Sequence, residues 1–206
     1  MKIKSKKHLG ILLSKLKHFE KPKIKLEQYE TPPEIAADII WNAHQIDGLK
    51  GKKVFDMGCG TGILSIGAAL LGADVIGYDV DKDAIRIAKE NARKIGVKVK
   101  FLVRDIKEIY EKPDIIIQNP PFGTKGIFLD ALFLEKALFL SPIIYTLHPS
   151  IRTNFIKAIS KAKGFSAQKI AEYKMPMKPT QPFHRKRVHY QKVILWRLEK
   201  LQYFKN

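Results

Sequence analysis

The chain carries one cysteine in 206 residues, Cys59. That excludes an internal disulfide and any zinc site built from several thiolates. Its six histidines fall at no metal-ligand spacing. Long apolar runs are missing too. The longest, Ala131–Leu140, is broken by Glu135 and Lys136 and falls short of the ~20 residues a bilayer span needs. The basic start (Lys2, Lys4, Lys6, Lys7) leads only into Leu9–Leu13, without a small-residue cleavage site, which is not a secretory signal. These absences predict a cytoplasmic protein with no membrane segment.

Acidic residues are scarce, 20 Asp+Glu against 38 Lys+Arg, for a net charge of +18. The excess sits at the ends. Residues 1–25 carry +8 and residues 178–206 carry +7, leaving +3 for the 152 residues between. A near-neutral body with two basic ends suits a polyanion, because neutralising phosphates releases counterions. A lysine-rich surface that only aids solubility is the competing explanation. Length and the 45% hydrophobic content predict one folded domain, 1–206, with basic appendages at 1–32 and 178–190.

Strand-like and helix-like patterns alternate through the body. Lys53–Met57, Asp74–Tyr78, Val97–Val103, Asp114–Gln118 and Pro142–Leu147 read as strands. Helical stretches at Ile63–Leu71, Asp81–Ile95, Leu129–Leu140 and Ser150–Lys163 separate them, with Asp81 a plausible N-cap. Phe165–Tyr173 and Val188–Leu198 then follow with no helix between. The expected fold is α/β: a doubly wound, mostly parallel, seven-stranded sheet with an antiparallel edge pair near the C-terminus.

Asp56-Met57-Gly58-Cys59-Gly60-Thr61-Gly62 links the first strand to the first sheet helix. Alternate glycines allow a tight turn and close backbone approach to a ligand at the positive end of a helix. Asp79, 23 residues after Asp56, ends the next strand, where a carboxylate can accept bonds from vicinal ribose hydroxyls. A dinucleotide fingerprint would place glycine at 63, which is Ile63. The D-x-G-x-G-x-G pattern instead resembles the first motif of Rossmann-like class I methyltransferases. In that resemblance Asp105 contacts the cofactor's adenine amine; capping the following segment is its alternative role. Cys59 reads as a small filler, with no basic neighbour to activate it.

Asn119-Pro120-Pro121-Phe122 follows the fourth strand. An exocyclic amine is a poor nucleophile because its lone pair is delocalised into the ring. Two acceptors, the Asn119 side-chain oxygen and the Pro120 carbonyl, can take its two N–H groups and draw the nitrogen towards a tetrahedral geometry. The prolines fix the turn, and Phe122 offers a face to a flipped base. The tetrapeptide resembles motifs in adenine-N6, guanine-N2 and glutamine-amide methyltransferases, so it sets the reaction type and leaves the substrate open.

The longer strings F-E-K-P-K-x-x-L-E-Q-Y-x-T (residues 19–31), D-x-G-C-G-x-G-x-L-S-I-G, N-P-P-F-G-T-K and a late F-H-R-K-R resemble the methyltransferase-like family whose eukaryotic members make N6-methyladenosine in small-subunit rRNA. The resemblance covers essentially the whole chain. It implies S-adenosylmethionine as cofactor, held by a flap with Gln28 and Thr31, by the loop at Asp56, Gly58, Gly60, Thr61, Gly62 and Ile63, and by Asp79 and Asp105. Read from the residues, Thr31 is also an N-cap before Pro32 and Pro33. Phe183, His184, Arg185, Lys186 and Arg187 form a basic segment with an interleaved aromatic, expected to grip RNA. Eukaryotic members work with a small zinc-binding activator subunit, a possible partner beside rRNA. DNA, a protein glutamine amide, or a non-catalytic RNA-binding role are the rival expectations.

Overall fold

Val54, Phe55 and Met57 are apolar on both sides of a strand, so that strand must be covered on both faces. The computed structural model describes residues 2–122, 129–177 and 189–201. Its helices are α1 (Lys6–Leu13), α2 (Pro33–Asp47), α3 (Ile63–Leu70), α4 (Lys82–Ile95), α5 (Leu129–Leu140) and α6 (Thr153–Ala162). Its strands are β1 (Lys53–Met57), β2 (Asp74–Asp79), β3 (Lys100–Val103), β4 (Ile115–Gln118), β5 (Ile143–Pro149), β6 (Phe165–Met177) and β7 (His189–Lys200). They form one sheet in the order β3-β2-β1-β4-β5-β7-β6. The first five strands run parallel, and β7 pairs antiparallel with both β5 and β6. Four helices, α1 to α4, bury one face through Leu9, Ile40, Leu64 and Ala88. The other face is closed by α5 and α6 through Leu134 and Ile156. This is the expected doubly wound sheet with its antiparallel pair at one edge.

Boundaries moved for identifiable reasons. The third strand is only Lys100–Val103, since an edge strand pairs on one side, with β2 alone. Strand β6 runs longer than expected, to Met177, and β7 to Lys200, because the two pair with each other from Phe165 with Lys200 out to Met177 with His189. The stretch from Ser150 splits into a 3-10 turn, Ser150–Arg152, and α6.

Two expectations need correction. The N-terminus is not a loose basic appendage. In α1, capped by Ser5, Leu9 and Leu13 are fully buried against α2 while the lysines face outwards, with Lys6 on Asp38. Eight residues are too few for that periodicity to stand out. Thr31 does not cap α2 either: Pro32 takes the cap position without a side-chain bond, and Thr31 lies one residue too early. Among the described residues, no helix is long and apolar enough to cross a membrane.

One ion pair ties the antiparallel edge to the opposite layer. Arg197 on β7 donates from Nε and Nη2 to Asp47, the last residue of α2, at 2.8 and 2.6 Å. Both side chains are under 10% exposed, and the Tyr145 hydroxyl donates to the same carboxylate. Removing one partner strands a buried charge. Arg197→Ala should therefore cost about 3–5 kcal/mol, read as a lower urea midpoint. Lys53→Ala, at an exposed pair with Glu111, should stay within about 1 kcal/mol.

Candidate functional site

The carboxyl ends of β3, β2, β1 and β4 lie side by side, and the strand order reverses between β1 and β4. Open α/β sheets bind ligands at that place. Here a cavity of about 300 Å³ is lined by Asp56, the loop after β1, Asp79, Asp105 and Asn119. The N-terminal segment covers it with Phe19, Gln28, Tyr29 and Thr31, and α5 adds Phe133.

The β1–α3 loop turns on its glycines. Gly58, Gly60 and Gly62 all have positive φ, at 72°, 53° and 87°. At Gly60 a Cβ would come within 2.9 Å of the Phe19 ring. Gly62 departs from expectation: it does not line the cavity but faces Phe101 and Ala88, where it lets α3 pack closely. Gly58, Thr61 and Ile63 do line it.

Three carboxylates mark three adjacent strand ends. Asp79 accepts from Gly60 N at 2.8 Å and from Asp81 N at 2.9 Å, bracing the glycine loop against the second strand. Burial pushes its pKa up. Asp56 is 1% exposed; its Oδ2 accepts from Ser65 N and Oγ, while Oδ1 is buried with no partner among the described residues. Burial pushes the Asp56 pKa up to about 7. Asp105 lines the cavity and also caps the following turn through Lys107 N. Buried carboxylates held above their ordinary pKa favour a cationic ligand that would return them to the charged form. The Cys59 thiol is buried and pushed well up, as suits a filler.

At the Asn119 motif the amide Nδ2 donates to Thr31 Oγ1 at 2.9 Å. Its Oδ1 is buried and has no partner among the described residues. Asn119 and Pro121 line the cavity; the Pro120 carbonyl accepts from the Tyr29 hydroxyl at 2.5 Å. Phe122 was expected to offer an open face. It is only 8% exposed, with the Tyr29 ring 4.8 Å from it, centroid to centroid. Gln28 is used within the flap, donating to Asp81 Oδ2 and accepting from Lys23 N. The Lys23 ammonium reaches Asp81 as well. Phe183, His184, Arg185, Lys186 and Arg187 lie outside the described residues.

Sequence reasoning passed over Phe19, Tyr29, Asn91 and Phe133. Asn91, 0% exposed on α4, takes Lys17 N on its oxygen and gives its amide hydrogens to Lys17 O and Thr61 O, stitching flap to loop. A polar residue on the apolar stripe of an amphipathic helix was the available signal. Tyr29 stood inside the string that carried the family resemblance.

The raised Asp56 pKa sets a pH dependence. In the unfolded chain the group titrates near 3.8, in the folded one near 7. The folded state holds its proton more tightly, so this contribution to stability is complete below the lower value and lost as pH rises through the upper one. Asp56→Asn should remove that loss. The stability of the variant relative to the wild type, measured by denaturant titration, should rise from pH 4 to 7.5.

Residues 42–120 match the family described as ribosomal protein L11 methyltransferase (PrmA). An uncharacterised protein of Methanocaldococcus jannaschii is 38% identical over 209 residues, covering 95% of this chain and 94% of its own. The rRNA N(6)-adenosine-methyltransferase METTL5 of Danio rerio is 36% identical over 190 residues, 88% of this chain and 92% of that protein. Among solved structures, a candidate RNA methyltransferase from Pyrococcus horikoshii superposes with a TM-score of 0.88 at 37% identity, covering 98% of this chain and all of that one. With likeness of this extent along nearly the full length of both proteins, the chain belongs to the methyltransferase family that contains the rRNA N(6)-adenosine-methyltransferase METTL5.

Proposed function

We propose that the protein transfers a methyl group from S-adenosylmethionine to the N6 amine of an adenine in small-subunit rRNA. One observation carries the reading: the Asn119 Oδ1, buried and without a donor among the described residues, on a cavity-lining side chain whose Nδ2 is held by Thr31. A buried acceptor left empty costs free energy unless a ligand fills it. The donor it lacks is an N–H, and an exocyclic amine brings two.

S-adenosylmethionine fits the cavity by its chemistry. Its ribose hydroxyls suit Asp79, its adenine amine suits Asp105, and its positive charge suits a pocket with a partnerless Asp56 oxygen. When bound it supplies an electrophilic methyl group on a sulfonium. The chain does the rest by positioning. Asn119 Oδ1 and the Pro120 carbonyl hold the amine hydrogens and aim the lone pair, and the prolines keep both oxygens in one frame. The methylated cation is a strong acid and loses its proton without a dedicated base. Segment 18–31 acts as the cofactor flap. His184, Arg185, Lys186 and Arg187 supply phosphate contacts by charge, with Phe183 flanking the target base.

Guanine N2 and DNA adenine use the same amine chemistry, so product analysis decides. With labelled cofactor and rRNA, DNA or a glutamine-bearing protein, nuclease digestion should release N6-methyladenosine from rRNA. Recovery of N2-methylguanosine or methylglutamine would replace the substrate and keep the chemistry. Asn119→Ala should abolish transfer with cofactor affinity nearly intact. Asp79→Ala should cost roughly 1.5–3 kcal/mol of cofactor affinity by calorimetry.

A further inference from the structure

We infer that Tyr29 sits in the seat of the acceptor base while no RNA is bound, and that the incoming base displaces it. The inference rests on the nucleobase reading above and narrows it to how the base is admitted. Two separate contacts point to it. The Tyr29 ring lies against Phe122, the ring offered to a flipped base, 4.8 Å between centroids and tilted by 39°. Its hydroxyl donates to the Pro120 carbonyl, one of the two acceptors the amine needs. A flat ring with a hydrogen-bond donor on its edge thus satisfies the site in the way a base would.

The imitation is incomplete, and the missing part is informative. A phenol has one O–H. An exocyclic amine has two N–H groups. Tyr29 fills the Pro120 carbonyl and leaves the Asn119 Oδ1 empty. A base can therefore replace every contact Tyr29 makes and add one that it cannot make, so exchange runs towards the base. Displacement need not dismantle the flap. On one side Gln28 is bonded to Asp81, and on the other Thr31 is bonded to Asn119. Tyr29 can swing out between these anchors while Asn119 keeps its orientation. The same logic selects the acceptor. An aliphatic amide could satisfy both oxygens but has no ring to take over from Tyr29 on Phe122, and it would leave that apolar face wet.

Occupation of the seat lowers apparent RNA affinity by the fraction of protein with Tyr29 inside. Tyr29→Phe keeps the ring and removes the donor, and should lower the KM for RNA roughly threefold. Tyr29→Ala clears the seat and should lower it about tenfold. A direct readout uses the full chain labelled with 3-fluorotyrosine and saturated with S-adenosylhomocysteine, its Tyr29 resonance assigned by Tyr29→Phe. Titration with a five-nucleotide single-stranded RNA with a central adenosine should shift that resonance, while a glutamine-bearing peptide should not. If RNA is methylated but the resonance stays in place, or if both variants raise the KM, the displacement idea is overturned and the methyltransferase reading stands. If no RNA is methylated and the peptide moves the resonance instead, the nucleobase reading falls and this inference falls with it.

Discussion

An amide side chain presents two ends of nearly the same shape, and its neighbours decide which end faces a ligand. At Asn119 the deciding neighbour is Thr31, whose hydroxyl oxygen takes the Nδ2 hydrogen and so leaves Oδ1 as the end without a partner among the described residues. The candidate chemistry depends on that one bond. It is braced from both directions. Thr31 precedes Pro32 and Pro33, which stiffen the entry to α2, and α2 is anchored by Ala36 and Ile40 at 0% exposure. Asn119 follows β4, whose four residues are all buried between β1 and β5.

Below Asn119 a buried polar chain steadies the same loop. Gln118 Nε2 donates to Thr146 Oγ1 at 3.1 Å, and Thr146 lies 2.9 Å from His148 Nε2. His148 Nδ1 is 3.8 Å from Asp130, which is bonded twice by Arg152. Gln118 precedes the motif and pairs with β5 through backbone and side chain, and Asp130 lies in the first turn of α5, close to His148 of β5 and bonded to Arg152 just after that strand. Burial alone would raise the Asp130 pKa, but His148 and Arg152 hold it below the ordinary value. Burial lowers His148 despite that carboxylate. The carboxylate stays charged, and its arginine supplies the compensation that keeps it inside.

How much of this was legible follows from where the signals lie. The sheet, its crossovers and the antiparallel pair were readable because β4 is wholly apolar and the helices between strands have their own period. The placements of Asp56, Gly58, Gly60, Asp79 and Asn119 were readable because each sits at a strand's carboxyl end, where the fold puts ligands. Contacts between distant segments were not. Nothing local says that Thr31 turns to Asn119, 88 positions away, rather than capping α2. Nor does Phe122, read alone, reveal that Tyr29 covers it. Gly62 was assigned to the cavity because loop glycines look alike in sequence; only the Phe101 ring beside it separates packing from ligand approach.

The extent of each likeness divides the molecule into a common part and a particular one. The match to the L11 methyltransferase family spans 42–120, which takes in β1 to β4, the glycine loop, Asp79, Asp105 and the first half of the Asn119 motif. That stretch is what a cofactor cradle needs, and it is compatible with acceptors as different as a protein and an RNA. The likeness to METTL5 extends over 88% of the chain, well beyond that stretch. Thr31 and Tyr29 stand before the shared stretch, and Phe122, β6 and β7 after it. The groups that orient the amide and fill the acceptor seat are therefore outside the common engine. On physical grounds acceptor choice belongs there too. The cradle can be conserved in shape across substrates, whereas the residue resting on Phe122 must be exchangeable for whatever the enzyme methylates.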